Sequence, residues 1–411
     1  TKRWPIIAGV GVLAVAAIIG VVDAPRLTPS DSAAPAPGPV TSPPASATQG
    51  VSVGVLTAGY LHSCRLTAAG GVLCWGDNSF GQLGDGTRTD RAAPVNVVGL
   101  GADVVELSAG GYQTCAVTSA GAVKCWGAND LGQLGDGSTD SSPTPVDVVG
   151  LGAGVRSVAV GYEHACVVTT GGAGKCWGAN ESGQLGDGST TKRLAPVDVQ
   201  DLGADVRAVS AGGDYSGGQT CALKTNGGVL CWGNNATGQL GDGTTTSRST
   251  PTAVTELSAG VEAISVGDEH ACALTVGGEV QCWGDNLYGQ LGNGSTSTDG
   301  QVTPSPVSAL GSGVRALSSG GSHTCAITNA SGVLCWGDNE SGQLGDGTTE
   351  NRSTAVPVVG LTSDISLVHA GAKSTCALTG AGVEQCWGKN DSGQLGDGTT
   401  KGSSTPVSVA G

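Results

Sequence analysis

Fourteen cysteines are the most reactive side chains in this sequence, and their spacing is uniform. They fall as Cys64 and Cys74, Cys115 and Cys125, Cys166 and Cys176, Cys221 and Cys231, Cys272 and Cys282, Cys325 and Cys335, and Cys376 and Cys386, ten apart in every pair. Such thiols can hold zinc, cross-link or stay free. Zinc wants close Cys pairs or Cys–His sets converging on one point, which seven separated pairs do not supply. A spacing of ten fits two antiparallel strands joined by a tight turn. With Cys64 opposite Cys74, Leu66 falls opposite Val72 and three residues around Ala69 make the turn. Direct cross-strand neighbours, about 4.5–5.5 Å apart, are within disulfide range. One hairpin disulfide per pair is expected. Each closes a loop of about eleven residues, worth roughly 2.8 kcal/mol in the chain-entropy model, without simple additivity.

Other candidate groups point to scaffolding. His62, His164, His270 and His323 stand two residues before the first Cys of their copies, where Gln113, Gln219 and Ser374 replace them. Replacement by other hydrogen-bonding side chains implies a structural bond to a neighbouring turn, since a catalytic His is needed once. His369, outside that series, reads as a strand residue. Asn78 and Asp85 recur at equivalent positions in every copy, save that Asn293 replaces the Asp once. Beside glycine they suit turns. Calcium, which takes carboxylate and carbonyl oxygens, is the competing reading, but the D-x-D-x-D-G spacing is missing. No G-x-S-x-G elbow, H-E-x-x-H, P-loop or dinucleotide fingerprint occurs. The chain therefore reads as a non-enzyme, with no catalytic residue, metal or cofactor assigned.

The elements that position these groups come from one repeated stretch, GVLCWGDNSFGQLGDGT over residues 71–87. Its Trp recurs as Trp75, Trp126, Trp177, Trp232, Trp283, Trp336 and Trp387, at intervals of 51, 51, 55, 51, 53 and 51. A fixed period near fifty means a repeat architecture. Each copy holds four short β-like pieces; in the second they are 104–109, 113–118, 122–126 and 146–149, separated by Gly-rich turns. Four-stranded meanders in seven copies predict an all-β, seven-bladed β-propeller of antiparallel blades with one hairpin disulfide each; an open solenoid is the runner-up. Each repeat Trp follows a Cys and so faces the other side of its strand. Packing between blades is its expected role, contributing roughly 2–3 kcal/mol apiece.

The motif W-G-x-N-x-x-G-Q-L-G-x-G, then Pro-Val and V-x-x-V-x-x-G-x-x-H-x-C-x-L, resembles the regulator of chromosome condensation repeat family over residues 51–411. The resemblance implies the seven-bladed fold. The namesake's activity, nucleotide exchange on a small nuclear GTPase with chromatin binding, finds no counterpart in an acidic chain without a basic tail. Closure of the ring is open at this stage. The domain begins in a first piece, 51–58, and ends in a fourth, 406–409. Either the two ends share a blade, or each copy is a blade by itself.

Composition sets the remaining bounds. Glycine supplies 72 of 411 residues and the formal charge is −15, which disfavours nucleic acid as a partner. Residues 1–24 carry Lys2 and Arg3 before an apolar run from Ile6 to Val22. They read as a signal peptide or a signal-anchor helix inserted in the membrane, the anchor being favoured. Residues 25–50, rich in Pro, Ala, Ser and Thr, read as a linker, and 51–411 as the propeller. Localisation is expected to be exported, surface-anchored or secreted, in keeping with paired cysteines.

In a meander the first and third connections emerge at one end of the ring. All five Tyr and the sole Phe fall there: Tyr60, Phe80, Tyr112, Tyr162, Tyr215 and Tyr288. Aromatics with acidic neighbours on rigid loops suit protein recognition. The sequence is read as a non-catalytic extracellular or cell-surface scaffold recognising a protein partner of unknown identity, with a glycan ligand left open. A secreted enzyme inhibitor similar to the propeller-type β-lactamase inhibitor is the first alternative. A guanine-nucleotide exchange factor by family analogy is the second.

Overall fold

Short runs of Val, Thr, Ala and Cys broken by Gly-rich turns can bury both faces only as strands stacked between neighbouring sheets. In the computed structural model, which describes residues 55–308 and 310–411, they form twenty-eight strands in seven four-stranded antiparallel sheets. The segments predicted as membrane helix and linker, and residues 51–54 of the predicted first strand, lie outside the described residues. No helix of the described residues is long and apolar enough to cross a membrane.

The first sheet runs β1 (Leu56–Ala58), β2 (His62–Leu66), β3 (Val72–Gly76) and β4 (Arg91–Asn96) in that order. The second runs β5 (Val104–Ala109), β6 (Gln113–Thr118), β7 (Val123–Gly127) and β8 (Ser142–Asp147). Each sheet draws its strands from one copy, so every copy is a self-contained blade and no strand is shared across the closure. The first strands of all seven blades line a common channel.

The fourth strand is a correction. It was expected at 146–149 in the second copy and 406–409 in the last, but lies at Ser142–Asp147 and Ser403–Ser408. The strand takes in Pro143 and Pro145. It is the outermost strand, where an edge position spares proline the ladder bond it cannot make. The third strand also begins one residue later than read, at Val123.

The hairpin register is as expected. Cys64 faces Cys74 and Leu66 faces Val72. All seven disulfides form, with Cα separations of 4.0–4.1 Å. Cys and Trp serve opposite interfaces. Trp126 packs with Cys64, Cys74, Leu83 and Val97 of the first copy, whereas Trp75 packs with Cys376, Cys386 and Leu395 of the seventh. All seven repeat Trp are fully buried. Each indole N–H donates to a Gln carbonyl of the preceding blade, Trp126 to Gln82 at 2.9 Å and Trp75 to Gln394 at 3.0 Å.

At the channel mouth the blades touch through backbone. Tyr60 N–H donates to the Gly110 carbonyl, Gly111 to Gly161, Gly321 to Gly371, and Ala372 to Gly59, which closes the circle. A Cβ on Gly110 would overlap the Gly161 carbonyl oxygen, so glycine is required there by close approach.

The closing seam has one private feature. Between consecutive blades a position two before the second Cys meets a position just after the next blade's first Cys. These are apolar pairs such as Val72 with Ala116, Val229 with Ala273 and Val333 with Ala377. Between the seventh and first blades they are Glu384 and Arg65, an ion pair at 3.2 Å. Burial raises the Glu384 carboxyl, and Arg65 pulls it back down.

Candidate functional site

The loops of the aromatic end are built to be rigid. In the third connection of the first blade Asn78 is fully buried. Its Oδ1 accepts from Leu83 N–H, and its Nδ2 donates to Asp85 and to the Thr87 and Thr89 carbonyls. Asp85 accepts from the Thr87 amide and hydroxyl and pairs with Arg91 at 2.8 Å. Burial opposes its charge, but hydrogen bonds from Thr87, Arg91 and Asn78 hold it below the usual carboxylate range. The same arrangement recurs with Arg193, Arg248 and Arg352. These carboxylates serve their own loop's amides and guanidinium groups, which is the turn role.

The histidines tie blades together. His62 Nε2 lies 2.8 Å from Thr114 Oγ1, and that hydroxyl donates to the Gln82 carbonyl. His164, His270 and His323 reach Thr220, Thr324 and Thr375 in the same way. The partner is therefore a threonine on the next blade's second strand, where a turn was expected. Gln113 and Gln219 instead donate to the carbonyls of His164 and His270. Burial pulls His62 and His164 down to about 4, and His270 and His323 to about 3. His369 is held at about 4 by burial and accepts from Ala58 N–H across the closing seam. All five are neutral near pH 7 and unsuited to proton transfer there.

The curvature of the ring carries Tyr60, Tyr112 and Tyr162, one from each of the first three blades, towards a common centre. Tyr60 lies 5.8 Å from Tyr112 and 5.6 Å from Tyr162 between ring centroids. Tyr112 lies 6.1 Å from Tyr162, and Phe80 is 5.3 Å from Tyr112. All four are half-buried, in the tilted and edge-on geometries aromatic pairs favour. Burial raises the phenols of Tyr60, Tyr112 and Tyr162, so they stay protonated. Tyr215 and Tyr288 stand outside these ring pairs. Tyr215 is 86% exposed at the tip of a hairpin between Val206–Asp214 and Gly217–Lys224. The four extra residues of that copy go into lengthening the hairpin.

Tyr60 and Tyr162 of the quartet line the central channel, a cavity of about 240 Å3 whose mouth Asp268 and the backbone of Gly111, Gly213 and Gly321 also border. Asp268 is the residue sequence reading passed over. Desolvation, then Asp214 and Glu269 nearby, push its carboxyl up to about 8. Its signal was available, since it is the one carboxylate among the first residues of the seven first connections.

Known proteins were then compared with this ring. The model of the regulator of chromosome condensation (RCC1) repeat matches residues 69–117, 120–168, 176–218, 226–274, 277–327 and 331–378. The ultraviolet-B receptor UVR8 of Arabidopsis thaliana is 33% identical over 368 residues, covering 87% of this chain and 80% of the receptor. The E3 ubiquitin-protein ligase HERC2 of Homo sapiens is 31% identical over 354 residues, covering 83% of this chain but only 7% of the ligase. Among solved structures, yeast RCC1 (Prp20), seen bound to Kap60, superposes with a TM-score of 0.73 at 19% identity, covering 88% of this chain and 85% of that one. That likeness is one of fold. The repeat matches and the receptor's identity across most of both chains establish kinship: the chain belongs to the regulator of chromosome condensation (RCC1) repeat family.

Proposed function

We propose that this chain is a non-catalytic scaffold, exported across a membrane, that binds a protein partner through the first and third connections at one end of the ring. One observation carries the reading. Aromatic side chains from three blades converge into one half-exposed cluster, three of them on first connections between short strands and Phe80 on a third connection held by the buried Asn78. Aromatic anchors on rigid loops are the groups that dominate protein interfaces. The non-catalytic part draws support from histidines committed to inter-blade bonds, the exported part from seven disulfides and the apolar run of residues 6–22. Yeast RCC1, a fold relative, is itself seen bound to a protein, Kap60.

The test is capture by the full chain, crosslinked to the surface and secreted fractions of its own cells. A parallel sample carries Tyr60, Tyr112, Tyr162 and Tyr215 changed to Ser, with fluorescence of the buried Trp set as the folding control. A protein held by the native chain and lost by the variant supports the face. Equal capture by both moves the site elsewhere on the ring.

A further inference from the structure

The carboxylates of this chain differ in whether they meet a cation. Several in the repeat loops and outer strands are paired, Asp85, Asp187, Asp242 and Asp346 with arginines and Asp147 and Asp198 with lysines, although Asp136 and Asp397 of the same loops are not. Those around the channel mouth are not. Glu163, Asp214, Asp268 and Glu269 take part in no ion pair among the described residues. The Ser216 hydroxyl lies between two of them, 2.6 Å from Asp214 Oδ1 and 3.1 Å from Glu269 Oε1. After desolvation, the groups that disfavour charge on Glu163 are Glu181 and Asp130, and those acting on Asp268 are Asp214 and Glu269. Beside them stand the aromatic quartet and the cavity. Like charges gathered without a counter-ion cost free energy in the empty protein, and a bound cation offsets that cost. Ring faces add attraction for an organic cation.

We infer that the channel mouth binds a cationic side chain, the guanidinium of an arginine or the ammonium of a lysine, presented by the protein partner. The inference rests on the reading of this end as the binding face and names the chemistry it takes. Asp268, kept largely neutral near pH 7 by burial and its acidic neighbours, would release its proton as the cation enters and with Tyr60 would grip the charged head from two sides of the mouth. Phosphate-bearing partners are repelled by the same carboxylates. At about 240 Å3 the cavity falls below the roughly 300–1,000 Å3 of drug-sized ligand sites, so it suits one inserted side chain. The acidic arc stops at the seventh blade. There Lys389 pairs with Asp391 at 3.3 Å, and Lys373 borders a neighbouring hollow shared with Tyr60. The cationic head therefore enters between Tyr60 and the carboxylates of the third to fifth blades, and the segment that presents it avoids the seventh.

The test is calorimetric titration of the full chain at low ionic strength with N-acetyl-triarginine amide and with N-acetyl-triglutamate amide. Triarginine should bind, more weakly as salt is added, and triglutamate should not. Asp268→Asn, and separately Tyr60→Ser, should each weaken triarginine by about five-fold or more, a change on the order of 1 kcal/mol. Asp103→Asn, an exposed carboxylate at the opposite end, should leave it unchanged. Absence of triarginine binding, equal binding of triglutamate, or an equal loss in Asp103→Asn would overturn the inference. So would an Asp268→Asn protein that binds as well as the parent. The two readings fail separately: partner capture lost in the tyrosine variant while triarginine does not bind leaves the face standing and removes the cation.

Discussion

Replacing Arg65 by Ala should loosen the closure of the ring, and the size of the effect follows from where the pair sits. Glu384 keeps only 4% of its side-chain exposure, Arg65 29%, at 3.2 Å. Removing Arg65 leaves a buried carboxylate without its partner, which typically costs about 3–5 kcal/mol. The carboxylate has an escape, because it can take up a proton. From an ordinary Glu value near 4.3, protonation at pH 7 costs about 3.7 kcal/mol, at about 1.36 per unit, and that sets a ceiling. Partial exposure of Arg65 brings solvent screening and moves the figure to the lower end, about 2–3 kcal/mol. The sign with pH follows. A carboxyl raised by burial is more stable protonated in the folded state, so the defect should shrink as pH falls, to about 1 kcal/mol at pH 5.

The control is the double variant Arg65→Ala with Glu384→Val, which installs the Val–Ala pair found at seams such as that of Val72 with Ala116. It should lie within about 1 kcal/mol of the parent, since apolar replacement of a buried pair is close to neutral. The assay is urea unfolding under non-reducing conditions at pH 7 and pH 5, followed by Trp fluorescence. Trp75 reports from the same seam. An Arg65→Ala protein as stable as the parent at pH 7, or a double variant worse than the single, would refute the reasoning.

Three further outcomes can be checked in the same apparatus. Gly110→Ala places a methyl against the Gly161 carbonyl and should destabilise the fold by about 1–3 kcal/mol, as an overpacked site does, whereas Gly152→Ala, with open space around it and no positive φ to strain, should cost far less. Changing Cys325 and Cys335 together to Ala removes one hairpin cross-link of separation ten; the expected loss, about 2–3 kcal/mol, should vanish when both proteins are compared under full reduction. The five histidines sit below their unfolded value near 6.5, so the stability they confer is complete above about pH 6.5 and drains away as pH falls towards 4 and 3. His62→Gln, which installs the side chain already present at Gln113 and Gln219, should flatten that slope by one group, and an unchanged slope would show that His62 is not the buried neutral ring described.

What the sequence determined by itself was everything local. The ten-residue cysteine spacing set hairpin register, because residues a turn apart can pair in only one way that puts both sulfurs on one face. The Cys-Trp neighbours set two opposite faces of one strand, and the period set the number of blades. The outermost strand was read too far along the chain, at 146–149 where it lies at Ser142–Asp147, because prolines sit in a strand only at an edge and the edge is set by the tertiary fold. The rest depended on which distant residues meet. Two closure schemes satisfied the same hydrogen-bond pattern, and the self-contained blade emerged only with the ring. Arg65 and Glu384 are 319 residues apart; each breaks an otherwise apolar column of the repeat, a signal that flags oddity but not partnership. Equivalent loop positions promised one end for the aromatics, yet only the curvature of the ring decided that Tyr60, Phe80, Tyr112 and Tyr162 touch while Tyr215 projects into solvent and Tyr288 stands apart. Local geometry is written in spacing, whereas convergence is a property of the closed circle.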